Sequence, residues 1–146
     1  MIRVEVQFAY SDQNVPSEEQ FQCWASKVES EKVADVAVRI VDEDEMASLN
    51  LQYRQKPGPT NVLSFPAELP EGVDIPFLGD VIICGPIVAQ EASNQGKSLQ
   101  SHWAHMSVHG ILHLQGYDHI DEADAAKMES LETSILIDLG FENPYD

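Results

Sequence analysis

Basic residues are scarce in this chain: 8 Lys and Arg stand against 25 Asp and Glu, a formal net charge of −17 over 146 residues. Such a balance opposes general nucleic-acid binding, which is driven by neutralising phosphates with Lys and Arg. A phosphate-bearing partner would have to be met at a local positive spot or by a metal ion. Cysteine is scarcer still. Cys23 and Cys84 form no C-x-x-C pair and are too few for a disulfide framework, so both are expected to be reduced, buried thiols. No apolar run approaches the length of a membrane span. The opening "MIRVEVQFAYSDQ" has neither the basic start nor the continuous apolar core of a signal peptide, which makes the cytoplasm the expected location. Repeats, low-complexity tracts and long linkers are missing too, and a single domain over residues 1–146 is expected.

What is present is a mixture of periodicities. "IRVEVQF" (2–8) alternates with period two and reads as a strand, as does "VADVAVRIV" (33–41). Ser17 with Gln20 makes a capping box ahead of a helical stripe through Phe21, Trp24, Ala25 and Val28. Asp42 caps a second helix, with Glu43, Asp44 and Glu45 at its positive end, and the breaker-rich "KPGPT" (56–60) stops it. "NVLSF" (61–65) and "LGDVIIC" (78–84) are two more short strands. Pro86 opens a third helix that Gly96 ends. Ser98 caps the fourth, which runs towards Gly116, and Asp121 caps the last, through about Leu139. Four strands and about five helices in one domain imply α+β, a small mixed four-stranded sheet. The strand order does not follow from the pattern.

Four of the five histidines, His102, His105, His109 and His113, fall on the fourth helix. At about 100° per residue they span an arc of about 80°, one narrow face. His109 and His113, one turn apart, can point two imidazole nitrogens at one ion, and Gly116 can turn the chain so that His119 supplies a third ligand. Three neutral donors leave one position of a tetrahedral ion open, the pattern of a catalytic rather than a structural site. His102 and His105 are expected to pack, to support ligands or to face solvent rather than to bind metal.

After its first histidine a zinc protease carries a glutamate; here that position is Gly110. Zinc lowers the pKa of its bound water to about 7 without such a base. Peptide cleavage also needs a proton delivered to a poor amine leaving group, whereas phosphodiester cleavage chiefly needs negative charge stabilised. A guanidinium suits the second task. Beyond the first strand the only arginines are Arg39, within a strand and expected to be solvated, and Arg54, at the end of the second helix. From spacing alone Arg54 serves equally well as a helix-dipole charge or as a phosphate ligand. Asp118 is either a turn former or a group that orients a ligand imidazole or accepts a proton.

"VHGILHLQGYDH" (108–119), "YRQKPGPTNVLSFP" (53–66) and "LGDVIIC" (78–84) together resemble, in order and spacing, the signature blocks of the YbeY family of bacterial endoribonucleases. The resemblance extends over essentially the whole chain. It implies a metal-dependent, single-strand-specific endoribonuclease acting in maturation of the 3′ end of small-subunit (16S) rRNA and in ribosome quality control. It also implies one Zn²⁺ per chain on His109, His113 and His119, Arg54 as the functional arginine, and single-stranded RNA and the ribosome or a ribosomal protein as partners. Two departures, "KPGPT" for a "KDKPT"-like loop and Gln115 where leucine is commoner, touch no ligand. The acids concentrate at 42–45 and in 118–146, and these runs are expected to be solvated faces. Two rival readings stand beside the nuclease: a zinc hydrolase of peptides, which shares the histidine spacing, and a ribosome-assembly factor whose metal is mainly structural.

Overall fold

The computed structural model describes residues 1–118 and 120–145. Alternating apolar residues form β1 (Ile2–Phe8), β2 (Ala34–Val41), β3 (Val62–Pro66) and β4 (Phe77–Cys84). The sheet order is β1-β2-β4-β3, with β1, β2 and β4 parallel and β3 antiparallel at the edge. The expected mixed four-stranded sheet is therefore present. Along β4 the side chains divide: Val81 and Ile83 enter the larger core, Ile82 and Cys84 a smaller one on the opposite face. Two apolar faces must be covered.

The helices α1 (Glu18–Ala25) and α4 (Leu99–Leu114) cover the first face, and α2 (Glu43–Arg54) the second. Next to them α3 (Gly85–Gln95) feeds both cores through Val88 and Ile87, and α5 (Glu122–Asp138) packs on α4. The caps are those the sequence announces: Ser17 and Gln20 bond reciprocally, Gln20 N to Ser17 Oγ at 3.3 Å and Ser17 N to Gln20 Oε1 at 3.0 Å. Asp42 Oδ1 accepts from Glu45 N at 2.8 Å. Replacing Asp42 by alanine leaves that amide without its cap and is expected to cost about 1 kcal/mol. In a domain of this size the thermal midpoint should fall by roughly 2–4 °C, read by circular dichroism.

Of the 16 residues of α4, 11 are buried. A helix wrapped on all sides is the rigid element on which the histidines sit. It also lies unusually close to the sheet. A Cβ at Gly110 would stand 2.5 Å from Val81 Cγ1 and 3.3 Å from Ser64 Oγ, and the Ser64 hydroxyl donates to the Gly110 carbonyl at 3.1 Å.

Two expectations are corrected. Cys23 is exposed, only Cys84 being buried, because Cys23 falls on the outer side of α1 while Phe21 and Trp24 take the inner one. Arg39 is not simply solvated: Glu45 holds it through two hydrogen bonds of 2.6 and 3.2 Å, and its Nη1 donates to Gln7 at 3.1 Å. Its guanidinium is committed to the α2 face of the sheet. Among the described residues no helix is long and apolar enough to cross a membrane.

Candidate metal centre

The helical period sets the four histidines of α4 in a row. Ring centroids of His102 and His105 lie 6.1 Å apart, those of His105 and His109 6.2 Å, and those of His109 and His113 4.6 Å. The last pair turns inward further, leaving Nε2 of His113 only 3.1 Å from Nε2 of His109. For Zn–N bonds of about 2.0–2.1 Å, the edge of a tetrahedron is roughly 3.3 Å. The two nitrogens are spaced as neighbouring ligands of one ion would be. Beyond them α4 ends at Leu114, and Gly116, at φ +101°, reverses the chain as only a residue without Cβ does easily. His119, the expected third ligand, lies outside the described residues.

His109 and His113 line a cavity of about 530 Å³ together with Arg54, Ser64 and Asp118. Arg54 reaches it from the C-terminus of α2, where Gln55 takes a left-handed conformation (φ +56°) and the chain leaves the helix. The structure thus brings together four residues predicted from the sequence, Arg54, His109, His113 and Asp118, from two separate elements and the loop after α4.

Behind His109 lies a residue the sequence did not single out. Glu132, on α5, is fully buried, which corrects the reading of the C-terminal acids as one solvated face. Its Oε1 accepts from His109 Nδ1 at 3.0 Å, and its Oε2 accepts from the Tyr145 hydroxyl at 2.7 Å and from His105 Nε2. Burial alone would raise its pKa, but the hydrogen bonds from His105, His109 and Tyr145 pull it down to about 2. Burial and the adjacent Glu132 push the Tyr145 hydroxyl well above its ordinary value.

His105, His109 and Glu132 bring one ligand atom each within 4.8 Å of one another, close enough for a metal by distance alone. The chemistry of the donors points elsewhere. Both Glu132 oxygens are taken up by N–H and O–H groups, and His105 faces a different cavity, beside Lys97 and Asn143. The arrangement is that of a carboxylate behind a candidate ligand histidine. His102 is likewise buried, and its Nε2 bonds Glu91 Oε1 at 2.9 Å. Burial lowers its pKa against the opposing pull of Glu91. Glu91 also accepts from Asn61 Nδ2 at 3.1 Å, and Asn61 lines the same cavity as His109 and His113. Two imidazole nitrogens converging beside an arginine, one imidazole backed by a buried carboxylate, fit a borderline-soft divalent cation such as zinc.

Known proteins share this chain's sequence and fold. The family model described as "Endoribonuclease YbeY" matches residues 5–140. The Endoribonuclease YbeY of Methylococcus capsulatus is 54% identical over 145 residues, covering 99% of this chain and 96% of that protein. Among solved structures, the solution structure of TM1509 from Thermotoga maritima superposes with a TM-score of 0.61 at 26% identity, covering 96% of this chain and 92% of that one. Alike in sequence along nearly its whole length and alike in fold, this chain belongs to the endoribonuclease YbeY family.

Proposed function

We propose that this chain is a single-strand-specific, metal-dependent endoribonuclease that acts in the cytoplasm on the 3′ end of 16S rRNA and in ribosome quality control. The observation that carries the reading is one cavity lined by His109, His113, Arg54 and Asp118. The name and extent of the Methylococcus capsulatus relative support it. One zinc per chain would be held by His109, His113 and His119. When bound, such an ion supplies a Lewis acid for phosphate oxygens and lowers the pKa of coordinated water to about 7.

The chain's own residues do the rest. Arg54 offers a planar fork of N–H groups to the non-bridging phosphate oxygens, where charge accumulates as the phosphodiester is attacked. Asp118, a carboxylate in the same cavity, accepts the proton that the attacking water or ribose hydroxyl gives up, and a proton is returned to the leaving oxygen as its P–O bond breaks. The acids at 42–45 stand at the far end of α2 from Arg54, roughly 16 Å away at 1.5 Å per residue, so they leave the phosphate position clear. With a net charge of −17, long-range attraction to RNA is weak, and a ribosomal partner supplies localisation.

The test is metal analysis together with cleavage of a defined single-stranded RNA, the same sequence as a duplex, and a labelled peptide. The single strand alone should be cut. Arg54→Ala should lower the rate roughly 10²–10³-fold, the cost of one lost charge-stabilising donor, with metal content unchanged. A ribosome-assembly factor with a structural metal would keep its function in that variant. Tight binding of long RNA with a steep salt slope would contradict the weak-attraction part of the reading.

A further inference from the structure

Glu132 is surrounded by donors, and that has a consequence for the metal ligand in front of it. An ionised carboxylate can only accept, so His109 must place its ring proton on Nδ1, facing Oε1 at 3.0 Å. In the neutral ring Nε2 then carries no proton, and Nε2 is the atom 3.1 Å from His113 Nε2. The other oxygen of Glu132 takes the Tyr145 hydroxyl at 2.7 Å and the Nε2–H of His105. His105 Nδ1 has no hydrogen-bond partner among the described residues, as suits a neutral ring donating through Nε2 alone.

Tyr145 lies in the segment after α5, a long way in sequence from the histidines. Lys97 Nζ, between α3 and α4, donates to the carbonyl of Pro144, and Asn143 Oδ1 accepts from Tyr145 N at 2.9 Å. Pro144 is buried. The ring of Tyr145 stacks edge-on against His105, with centroids 5.4 Å apart. This segment is thus fastened to the body of the protein at one end of a hydrogen-bonded line that finishes at a metal ligand.

We propose that Glu132, His105 and Tyr145 form a positioning device for His109. Glu132 fixes the ring's tautomer and direction, and Tyr145 makes retention of the metal depend on the docking of the segment after α5. Both statements rest on His109 being a metal ligand. None of the three residues touches the metal or the substrate; they act through His109.

The experiment measures zinc affinity by chelator competition for the full chain, Tyr145→Phe, Glu132→Gln and His113→Ala, with a thermal melt of each. Groups behind a ligand histidine are worth 10–100-fold in metal affinity, so Glu132→Gln should weaken zinc binding within that range. Tyr145→Phe, which deletes one of the three donors, should weaken it by roughly 3–10-fold, below the range expected for the carboxylate itself. A second readout needs no metal. Long-range ¹⁵N–¹H spectra of the zinc-free protein should show His109 protonated at Nδ1 alone in the wild type and a tautomer mixture in Glu132→Gln. If Glu132→Gln fails to fold, Tyr145→Phe decides, since Tyr145 is 45% exposed and its ring is retained. Zinc affinities within twofold of wild type in both variants, with His113→Ala unable to bind, would overturn this proposal and leave the metal site standing. A wild type that binds no zinc would sink both.

Discussion

Changing His113 to alanine is expected to remove bound metal and RNA cleavage together, each by roughly a thousandfold or more, beyond the 10–100-fold that follows loss of a group behind a ligand. The reason is geometric. His113 and His109 present Nε2 atoms 3.1 Å apart from one turn of α4, and with one ring gone the remaining donor has no chelating neighbour on that helix. His105, the next histidine along the row, uses its Nε2 on Glu132, and its ring centroid is 6.2 Å from that of His109. It cannot substitute. Stability should change little, because His113 is only partly buried and a half-exposed truncation costs about 1 kcal/mol. Metal content by elemental analysis, cleavage of a defined single strand, and a melt of the same sample check the three parts. Full cleavage by a metal-free His113→Ala protein would remove the metal from the mechanism. Retained metal with lost cleavage would instead move His113 from ligand to substrate contact.

That pair was legible in the sequence because a helix repeats every 3.6 residues, so spacing along the chain becomes direction in space. His109 and His113 need no partner element to face the same way. Gly116 was legible for a similar reason: its positive φ is a local property of one residue. Arg54 could be placed at a helix end but not in the cavity, since its approach to α4 depends on how α2 packs across the sheet, information no local pattern contains. Glu132 was hidden by its neighbours. The segment 118–146 carries nine acids, and on an amphipathic helix the one that turns inward looks like the others. Only the approach of α5 to α4 separates it. The sheet order β1-β2-β4-β3 was out of reach as well, because the strands carry similar apolar alternation and nothing in each one names its neighbour.

Gly110→Glu restores in sequence the residue a zinc protease has after its first histidine, and it is expected to cost the fold rather than confer peptide cleavage. A side chain there would run into the sheet. A Cβ there meets Val81 Cγ1 at 2.5 Å, and Val81 is fully buried in the middle of β4 with no room to withdraw. Overpacking of that kind costs about 1–3 kcal/mol for the methyl of alanine alone. A glutamate adds the burial of a carboxylate against apolar side chains, several kcal/mol more. Their sum is a large part of the roughly 5–15 kcal/mol that holds a domain together. Gly110→Ala should therefore melt several degrees below the wild type, at roughly 2–4 °C per kcal/mol, and Gly110→Glu should show no cooperative transition or fail to accumulate as soluble protein. A Gly110→Glu protein that melts like the wild type and cuts a labelled peptide would show that the helix can retreat from the sheet. Short of that, β4 occupies the space a side chain at position 110 would need, and the close packing of α4 on Val81 and Ser64 leaves no room there for the glutamate that a zinc protease carries after its first histidine.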